Sequence, residues 1–229
     1  MEIKEKTLNN SLMNYKSYNK YMKYDAIVLA SGVGSRANLG YNKVLFKMKN
    51  GLTVIENAYS IFLNDEDCNK VIVAFNLEDF DRIVDSRITK VYGGQERKDS
   101  VNNCLEHVTS DYVLIHDGAR PYLSKEDLDN LKNSLVNEDG CILAYKAFNT
   151  IKQVKDGYIV NTLDRNYIYE ALTPQGFKTS IYKSCINKDN INYTDDASLL
   201  EMNGYKVKIV EGSKSNIKLT FKEDFENER

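Results

Sequence analysis

Short apolar runs alternate with amphipathic stretches along most of the chain. Near-continuous apolar runs predict buried β-strands at residues 25–30, 71–75, 88–92, 112–116 and 140–145. The segment 96–108 carries an apolar stripe at helical spacing, and Ser124 with Asp127 three residues later is typical of a capped helix start. Buried strands that alternate with amphipathic helices predict a Rossmann-like α/β fold, in which helices cover both faces of a mainly parallel sheet.

The segment 150–163 breaks this alternation. It contains two extended runs joined at Asp156-Gly157, which is a strong signal for a type I′ hairpin. We therefore predict a protruding hairpin over about residues 148–165. Such a hairpin is a lid, an arm that clasps a second subunit, or an ordinary edge hairpin, and the sequence pattern leaves these alternatives open.

The pattern after the hairpin predicts mostly helix. We expect a helix near 166–172, a turn at 173–177 around Pro174, and a helical stretch to about residue 186. Thr194 is predicted to cap a helix over 195–202 that ends at Gly204. A last strand is expected at 205–210.

Composition narrows the possible classes of protein. The 229 residues suffice for one domain, which we place at 24–229 after an N-terminal tail or loose helix over 1–23. A formal net charge of −2 argues against a nucleic-acid partner. No apolar run approaches the ~20 residues of a membrane span, and the N-terminus lacks an apolar signal core, so a cytoplasmic enzyme is expected. The four cysteines are far apart and predict free thiols rather than a metal site.

Glycines and cations follow the first predicted strand. Gly32 and Gly34 allow the backbone to approach a bulky anion, and Arg36 and Lys43 supply positive charge. We interpret this stretch as a loop that binds a nucleoside triphosphate. The glycines also fit the weak dinucleotide-binding pattern, which leaves a dinucleotide-dependent oxidoreductase as a remote alternative.

Asp117 ends another predicted strand, at the edge where parallel sheets bind their ligands. Its carboxylate is a candidate ligand for Mg²⁺ or a hydrogen-bond acceptor for a ribose. His116 should point to the opposite side of that strand and is expected to be a packed core histidine.

Five blocks of sequence together resemble the 2-C-methyl-D-erythritol 4-phosphate cytidylyltransferase family, from about Tyr24 to the C-terminus. They are Leu29-Ala30-Ser31-Gly32-Val33-Gly34-Ser35-Arg36 with Lys43, Gly93-Gly94-Gln95-Glu96-Arg97-Lys98-Asp99-Ser100-Val101, His116-Asp117-Gly118-Ala119-Arg120-Pro121, Asp164-Arg165-Asn166 with Leu172-Thr173-Pro174-Gln175, and Thr194-Asp195-Asp196-Ala197-Ser198 with Asn216-Ile217-Lys218-Leu219-Thr220. Each block is moderately specific, and all five in this order are very specific.

The resemblance implies a transfer of CMP from CTP to methylerythritol phosphate, with release of pyrophosphate and with Mg²⁺ as cofactor. It implies that the CTP phosphates lie against Ala30, Ser31, Gly32 and Gly34, and that Arg36 and Lys43 stabilise the charge that develops on them. The cytosine would be read by Gly94, Gln95 and Ser100, and the ribose and metal would be bordered by Asp117, Gly118 and Arg120.

The acceptor phosphate would be positioned by Arg165 and Lys218, with help from Thr150, Thr173 and Thr194. In this family the hairpin residues reach the site of a neighbouring subunit, which implies a homodimer. Since a phosphate monoester is already ionised at neutral pH, no general base is required. The sister family of ribitol-5-phosphate cytidylyltransferases is the nearest alternative, and a non-catalytic nucleotide-binding module is a remote one.

Three positions depart from the usual pattern of the family. Ser31 replaces a small apolar residue or glycine, Ala37 replaces a common methionine, and Val44 replaces the glutamine that usually follows the catalytic lysine. None of these changes removes a charge that the reaction needs. The change at Val44 bears on how the loop around Lys43 is positioned.

Overall fold

A computed structural model describes residues 22–32, 34–186 and 193–226, with the side chain of Ser35 excepted. The strands in this part of the chain are β1 (Tyr24–Ala30), β2 (Cys68–Phe75), β3 (Ile88–Tyr92), β4 (Tyr112–Asp117), β5 (Gly140–Lys146), β6 (Lys152–Lys155), β7 (Tyr158–Thr162), β8 (Tyr169–Lys178) and β9 (Val207–Glu211). The α-helices are α1 (Val54–Leu63), α2 (Arg97–Leu105), α3 (Lys125–Leu135), α4 (Thr179–Ile186), α5 (Asp196–Met202) and α6 (Lys222–Glu226). Most of the predicted N-terminal tail, residues 1–21, lies outside the described residues.

Seven strands form one sheet in the order β3-β2-β1-β4-β8-β5-β9. Every neighbouring pair is parallel except the two that involve β8, which runs antiparallel to both β4 and β5. The predicted mainly parallel sheet is therefore confirmed. Because β1, β2 and β4 are parallel neighbours, their carboxyl ends lie together at one edge of the sheet.

Helices cover both faces of the sheet, as predicted. Along β1, Ala26 and Val28 face the core that includes apolar residues of α1 and α3, whereas Ile27 faces the core that includes residues of α2, α4 and α5. This alternation follows from the period of two along a strand. Met22 already packs in the first of these cores, two residues before β1 begins. Among the described residues, no helix has both the length and the apolar character needed to cross a bilayer.

The predicted hairpin is confirmed as strands β6 and β7. Asp156 and Gly157 both have positive φ, at 50° and 83°, which is the conformation of a type I′ turn. All nine residues of the two strands are exposed, and the pair forms a small sheet separate from the main one. The hairpin therefore protrudes from the main sheet and the helices that cover it.

The region after the hairpin differs from its prediction. The expected helix near 166–172 and the expected turn at 173–177 are both wrong, because Arg165–Tyr167 form only a 3₁₀ turn and β8 then runs through the whole segment. Pro174 follows a cis peptide bond inside this strand. The motif was misread because proline in a central strand normally argues against that assignment.

The predicted cap of α5 was displaced by one residue. Asp195, rather than Thr194, is the N-cap, since its side chain accepts a hydrogen bond from the backbone N–H of Ser198. Both residue types are good N-caps, so the sequence did not distinguish them. The helix predicted over 96–108 is confirmed with shorter bounds as α2, the helix predicted after Ser124 is confirmed as α3, and the helical stretch to about residue 186 is confirmed as α4. The last strand is also confirmed, although it begins two residues later than expected.

Candidate functional site

A pocket of about 290 Å³ opens at the carboxyl ends of β1 and β4. Many of the residues predicted from the glycine loop, the second glycine block and Asp117 line it. These residues are Ala30, Ser31, Gly32, Gly34, Arg36, Lys43, Gly94, Gln95, Ser100, Asp117 and Lys218. The fold therefore brings together segments that are up to almost 190 residues apart in the sequence.

Two loops that line the pocket are joined by a pair of serines. The hydroxyl oxygens of Ser31 and Ser100 are 2.9 Å apart, and the backbone N–H of Gly94 donates to the Ser100 hydroxyl at 3.0 Å. Gly93 makes this contact possible, because a Cβ at that position would lie only 2.3 Å from the Cβ of Ser31. The absence of a side chain at Gly93 is thus a steric requirement of the site.

Lys43 is a buried cation among other cations. Its side chain lies against Gly34, whose positive φ of 65° suits glycine, and its Nζ donates to the carbonyl oxygen of Leu219 at 2.6 Å. Burial, together with the nearby charges of Lys218 and Arg36, lowers the pKa of Lys43 to about 8. This arrangement favours the binding of an anion, which would relieve the repulsion between the cations.

Asp117 is the acidic counterpart of these cations. Its carboxylate lies 2.9 Å from Nζ of Lys218 and 3.4 Å from Nε of Arg120. Burial opposes its ionisation, but the charges of Lys218, Arg97 and Arg120 outweigh burial and hold the pKa of Asp117 well below its usual range. The carboxylate is therefore ionised at neutral pH.

The donors around Asp117 are compatible with magnesium but do not form a complete protein site. Within the described residues, no group of three or more His, Cys, Asp or Glu side chains is arranged to hold a metal ion. Mg²⁺ commonly binds through one or two carboxylates and completes its shell with water and substrate phosphates. A single ionised carboxylate in a pocket beside a glycine loop fits that manner of binding.

His116 is a core histidine, as predicted. It is fully buried, its Nδ1 is 3.0 Å from the hydroxyl of Thr173, and its Nε2 is 3.1 Å from the carbonyl oxygen of Arg120. Burial lowers the pKa of His116 to about 4, so the ring is neutral at physiological pH. The same Thr173 hydroxyl accepts a hydrogen bond from the backbone N–H of Asp117 at 3.0 Å. Thr173 therefore holds the strand end that carries the carboxylate.

Arg97 lines the pocket but was assigned no role from the sequence. Its guanidinium makes two hydrogen bonds, of 2.9 and 2.5 Å, to the buried carboxylate of Asp196, which also accepts from the hydroxyl of Tyr182 at 2.6 Å. The sequence did contain a signal that Arg97 has a special role. Arg97 is the first residue of α2, where the helix dipole disfavours a cation, so an arginine there indicates a partner or a ligand elsewhere.

Several predicted site residues do not line this pocket. Gly118 packs tightly, since a Cβ there would lie 2.7 Å from the carbonyl oxygen of Leu29, and Thr173 is buried. Arg120 donates to the carbonyl oxygen of Asn216 at 2.7 Å. Exposed positions outside the pocket are occupied by Thr150, Arg165 and Thr194. The roles assigned to these six residues remain predictions.

Comparisons with a family model and with individual proteins point to the same family. Residues 24–228 match the family model of 2-C-methyl-D-erythritol 4-phosphate cytidylyltransferase. Enzymes of that name from Haemophilus ducreyi and Geobacillus thermodenitrificans are 36% and 39% identical to the chain, with 88% and 89% of the chain and 92% and 94% of the relatives covered.

Solved structures agree with this match. The 4-diphosphocytidyl-2C-methyl-D-erythritol synthase from Anaerococcus prevotii superimposes with a TM-score of 0.79 at 31% identity, covering 90% of this chain and 93% of that one. The 2-C-methyl-D-erythritol 4-phosphate cytidylyltransferase from Francisella tularensis gives 0.77 at 31% identity, covering 90% and 97%.

Proposed function

The chain belongs to the 2-C-methyl-D-erythritol 4-phosphate cytidylyltransferase family, and from this premise we propose that it transfers CMP from CTP to 2-C-methyl-D-erythritol 4-phosphate. The products are 4-diphosphocytidyl-2-C-methyl-D-erythritol and pyrophosphate, and the reaction serves isoprenoid precursor synthesis. The observation that carries the proposal is the buried cation Lys43 beside Gly34, at the mouth of a glycine loop that also presents Arg36.

The chemistry needs positive charge where negative charge accumulates. An oxygen of the acceptor phosphate attacks the α-phosphorus of CTP, and pyrophosphate leaves in line. Lys43 and Arg36 are assigned to stabilise the charge that builds on the α- and β-phosphates in the transition state. Lys43 is suited to this role because its ammonium group is already largely desolvated in the pocket.

No side chain is needed to activate the nucleophile. The acceptor phosphate has a second pKa of about 6 and is ionised at neutral pH. This agrees with the two histidines of the chain, since His116 is buried and neutral and His107 does not line the pocket.

We assign Asp117 as the protein ligand of Mg²⁺. The ionised carboxylate would hold Mg²⁺ together with oxygens of the triphosphate, and the bound ion would supply further positive charge during transfer. Lys218, which contacts the same carboxylate at 2.9 Å, would then be released to contact an anionic substrate. This release is consistent with its assigned role at the acceptor phosphate.

A homodimer through the hairpin arm is also part of the proposal. The arm exposes large apolar side chains, with Tyr158 79%, Ile159 63% and Val160 55% exposed. Apolar groups clustered on a protruding element are typical of a protein interface. Thr150 and Arg165, which stand at the two ends of the arm, would then reach the acceptor site of the neighbouring subunit. A cytoplasmic location is proposed as well, and the four free thiols are compatible with it.

The activity can be tested directly. The purified protein is incubated with CTP, Mg²⁺ and methylerythritol phosphate, and pyrophosphate release is followed. We expect turnover with this acceptor and little or none with ribitol 5-phosphate under the same conditions. Faster turnover with ribitol 5-phosphate would contradict the proposed acceptor, and no pyrophosphate release with either would contradict the activity.

Two substitutions test the assigned charges. Lys43→Ala and Arg36→Ala are each expected to lower kcat by about 10²–10³, because each removes a group that stabilises the transition state. CTP binding, measured by calorimetry, should weaken much less. Lys47→Ala is a control, since Lys47 is a lysine close in sequence that does not line the pocket. Parental kcat in either test variant would refute its role.

A further inference from the structure

The glycine loop borders a cavity on each of two sides. The segment 31–41 leaves β1 after Ala30 and returns at Asn42, immediately before Lys43. One side of the loop faces the pocket described above. The other side borders a second cavity of about 490 Å³, whose lining includes Gly34, Asn42 and Asp79. Apolar packing fixes the loop at Ala37, which is fully buried in a cluster with Val54 and Leu219, and polar contacts fix the end of the loop that leads to Lys43.

Asn42 makes hydrogen bonds that anchor this loop at its end. Its Nδ2 donates to the carbonyl oxygen of Ala30 at 3.3 Å, which joins the two ends of the loop. Its Oδ1 accepts from the backbone N–H of Val44 at 3.3 Å and so caps the 3₁₀ turn that carries Lys43. Asn42 is only 7% exposed, so these bonds are shielded from water.

Asp79 provides the shortest contact of Asn42. Nδ2 of Asn42 donates to Oδ2 of Asp79 at 2.7 Å, and Asp79 is only 3% exposed. Asp79 is itself fixed in the turn after β2, because its backbone N–H donates to Oδ1 of Asn76 at 2.8 Å and its carboxylate lies 3.7 Å from Nε of Arg82. The pair thus connects the Lys43 turn to a strand end outside the glycine loop.

Repulsion between cations explains why the position of Lys43 needs this anchor. Lys43 is held close to Lys218 and Arg36, and this repulsion favours movement of the ammonium group towards solvent. The hydrogen bond from Nζ of Lys43 to the Leu219 carbonyl opposes such movement at the tip of the side chain. Asn42 and Asp79 oppose it at the backbone.

We propose that the Asn42–Asp79 pair is a positioning device that holds Lys43 at the reacting phosphates. Neither residue contacts the substrate in this proposal, and both act through the backbone of Lys43. The inference rests on the proposed function, since it assigns the pair to the same cytidylyl transfer.

Three variants test the pair: Asn42→Ala, Asp79→Ala and the double variant. Each single substitution should lower kcat by about 10- to 100-fold, because small displacements of a catalytic group are costly. The KM for CTP should change by less than about threefold, since the remaining loop still binds phosphates. The double variant should be no more than about twofold worse than Asn42→Ala, because both changes remove one device.

The chain offers a matched control at the other end of the same strands. Asn69 in β2 donates its Nδ2 to Oδ1 of Asp25 in β1 at 3.0 Å, which is also an asparagine–aspartate bond between side chains. Asn69 is exposed, so Asn69→Ala should lose less stability in urea denaturation than Asn42→Ala, whereas Asp25→Ala removes the buried partner and should lose at least as much. Both control variants should retain parental kcat. Equal losses of kcat in Asn69→Ala and Asn42→Ala would overturn the proposal, since the effect would then be general destabilisation.

Hydrogen exchange gives a readout that needs no activity. Peptides covering residues 34–46 should exchange faster in Asn42→Ala and also in Asp79→Ala, although Asp79 lies more than 30 residues away in sequence. They should be unchanged in Asn69→Ala. The proposal that the Asn42–Asp79 pair positions Lys43 would be contradicted if hydrogen exchange were unchanged in Asp79→Ala, or if both single variants had the parental kcat. If the parent protein itself releases no pyrophosphate, the proposed function fails, while the exchange result still decides whether the pair anchors the loop.

Discussion

Lys43 has a lowered pKa, and its proposed place at the CTP phosphates therefore has a measurable consequence. Its pKa of about 8 reflects burial and two neighbouring cations, so a bound triphosphate should raise the pKa again. Binding of CTP at pH 8.5 should therefore take up more than about half a proton per site. Calorimetric titrations in buffers of different ionisation enthalpy measure this uptake. The affinity for CTP should consequently fall as the pH rises through 8 to 10.

Lys43→Arg provides the control for this prediction. An arginine stays protonated throughout this pH range, so the uptake at pH 8.5 should be lost while positive charge is kept. Proton uptake that is the same in the parent and in Lys43→Arg would show that another group is responsible. Arg36 and Lys218 are the cations that act on Lys43, and Asp117 and Asp224 are the acidic groups near it.

At the scale of single elements, β8 connects the core to the site. Thr173 lies in this strand, and its hydroxyl serves both the backbone N–H of Asp117 and Nδ1 of His116. Thr173→Val keeps the shape but removes the hydroxyl, leaving buried polar groups without their partner. We expect a loss of about 1–2 kcal/mol in the free energy of unfolding, measured in urea, and a lower kcat because Asp117 is less well held.

Thr89→Val is the matched control for Thr173→Val. Thr89 is a half-buried threonine in β3, at the edge of the sheet and away from the pocket lining. Its substitution should change stability by less than about 0.5 kcal/mol. Equal effects of the two substitutions would argue against a special role for the Thr173 hydroxyl.

The elements differ in how far the sequence predicted them. β1 and β4 could be predicted from local signals, namely their apolar runs and the glycines that follow them, Gly32 and Gly118. β8 was misread because its identity depends on pairing with β4 and β5, which no local pattern reveals. The same limit applies to the site. The glycine loop and its cations were predicted, but the Arg97–Asp196 pair spans 99 positions and required the fold.

The arm makes a prediction about the whole molecule. If Arg165 serves the neighbouring subunit's site, Arg165→Ala subunits mixed with Lys43→Ala subunits should regain activity. Random mixing should restore about a quarter of parental turnover, because half of the dimers would then contain one intact site of two. Pyrophosphate release after mixing measures this recovery.

A second mixture controls the first. Lys43 and Arg36 line the same pocket of one subunit, so Lys43→Ala mixed with Arg36→Ala should regain nothing. Mass spectrometry of the intact assembly must show that mixed dimers are present. With mixed dimers confirmed, a lack of recovery in the first mixture would argue against a shared site.

The segment 213–220 also affects when the protein can work. Lys218 contacts Asp117, the Leu219 carbonyl accepts from Lys43, and the Leu219 N–H donates to the carbonyl oxygen of Ala119. The ribosome makes the glycine loop early, but these late contacts are missing until the segment has emerged from the exit tunnel. A nascent chain can therefore fold much of its sheet and remain catalytically inactive until this segment has joined the site.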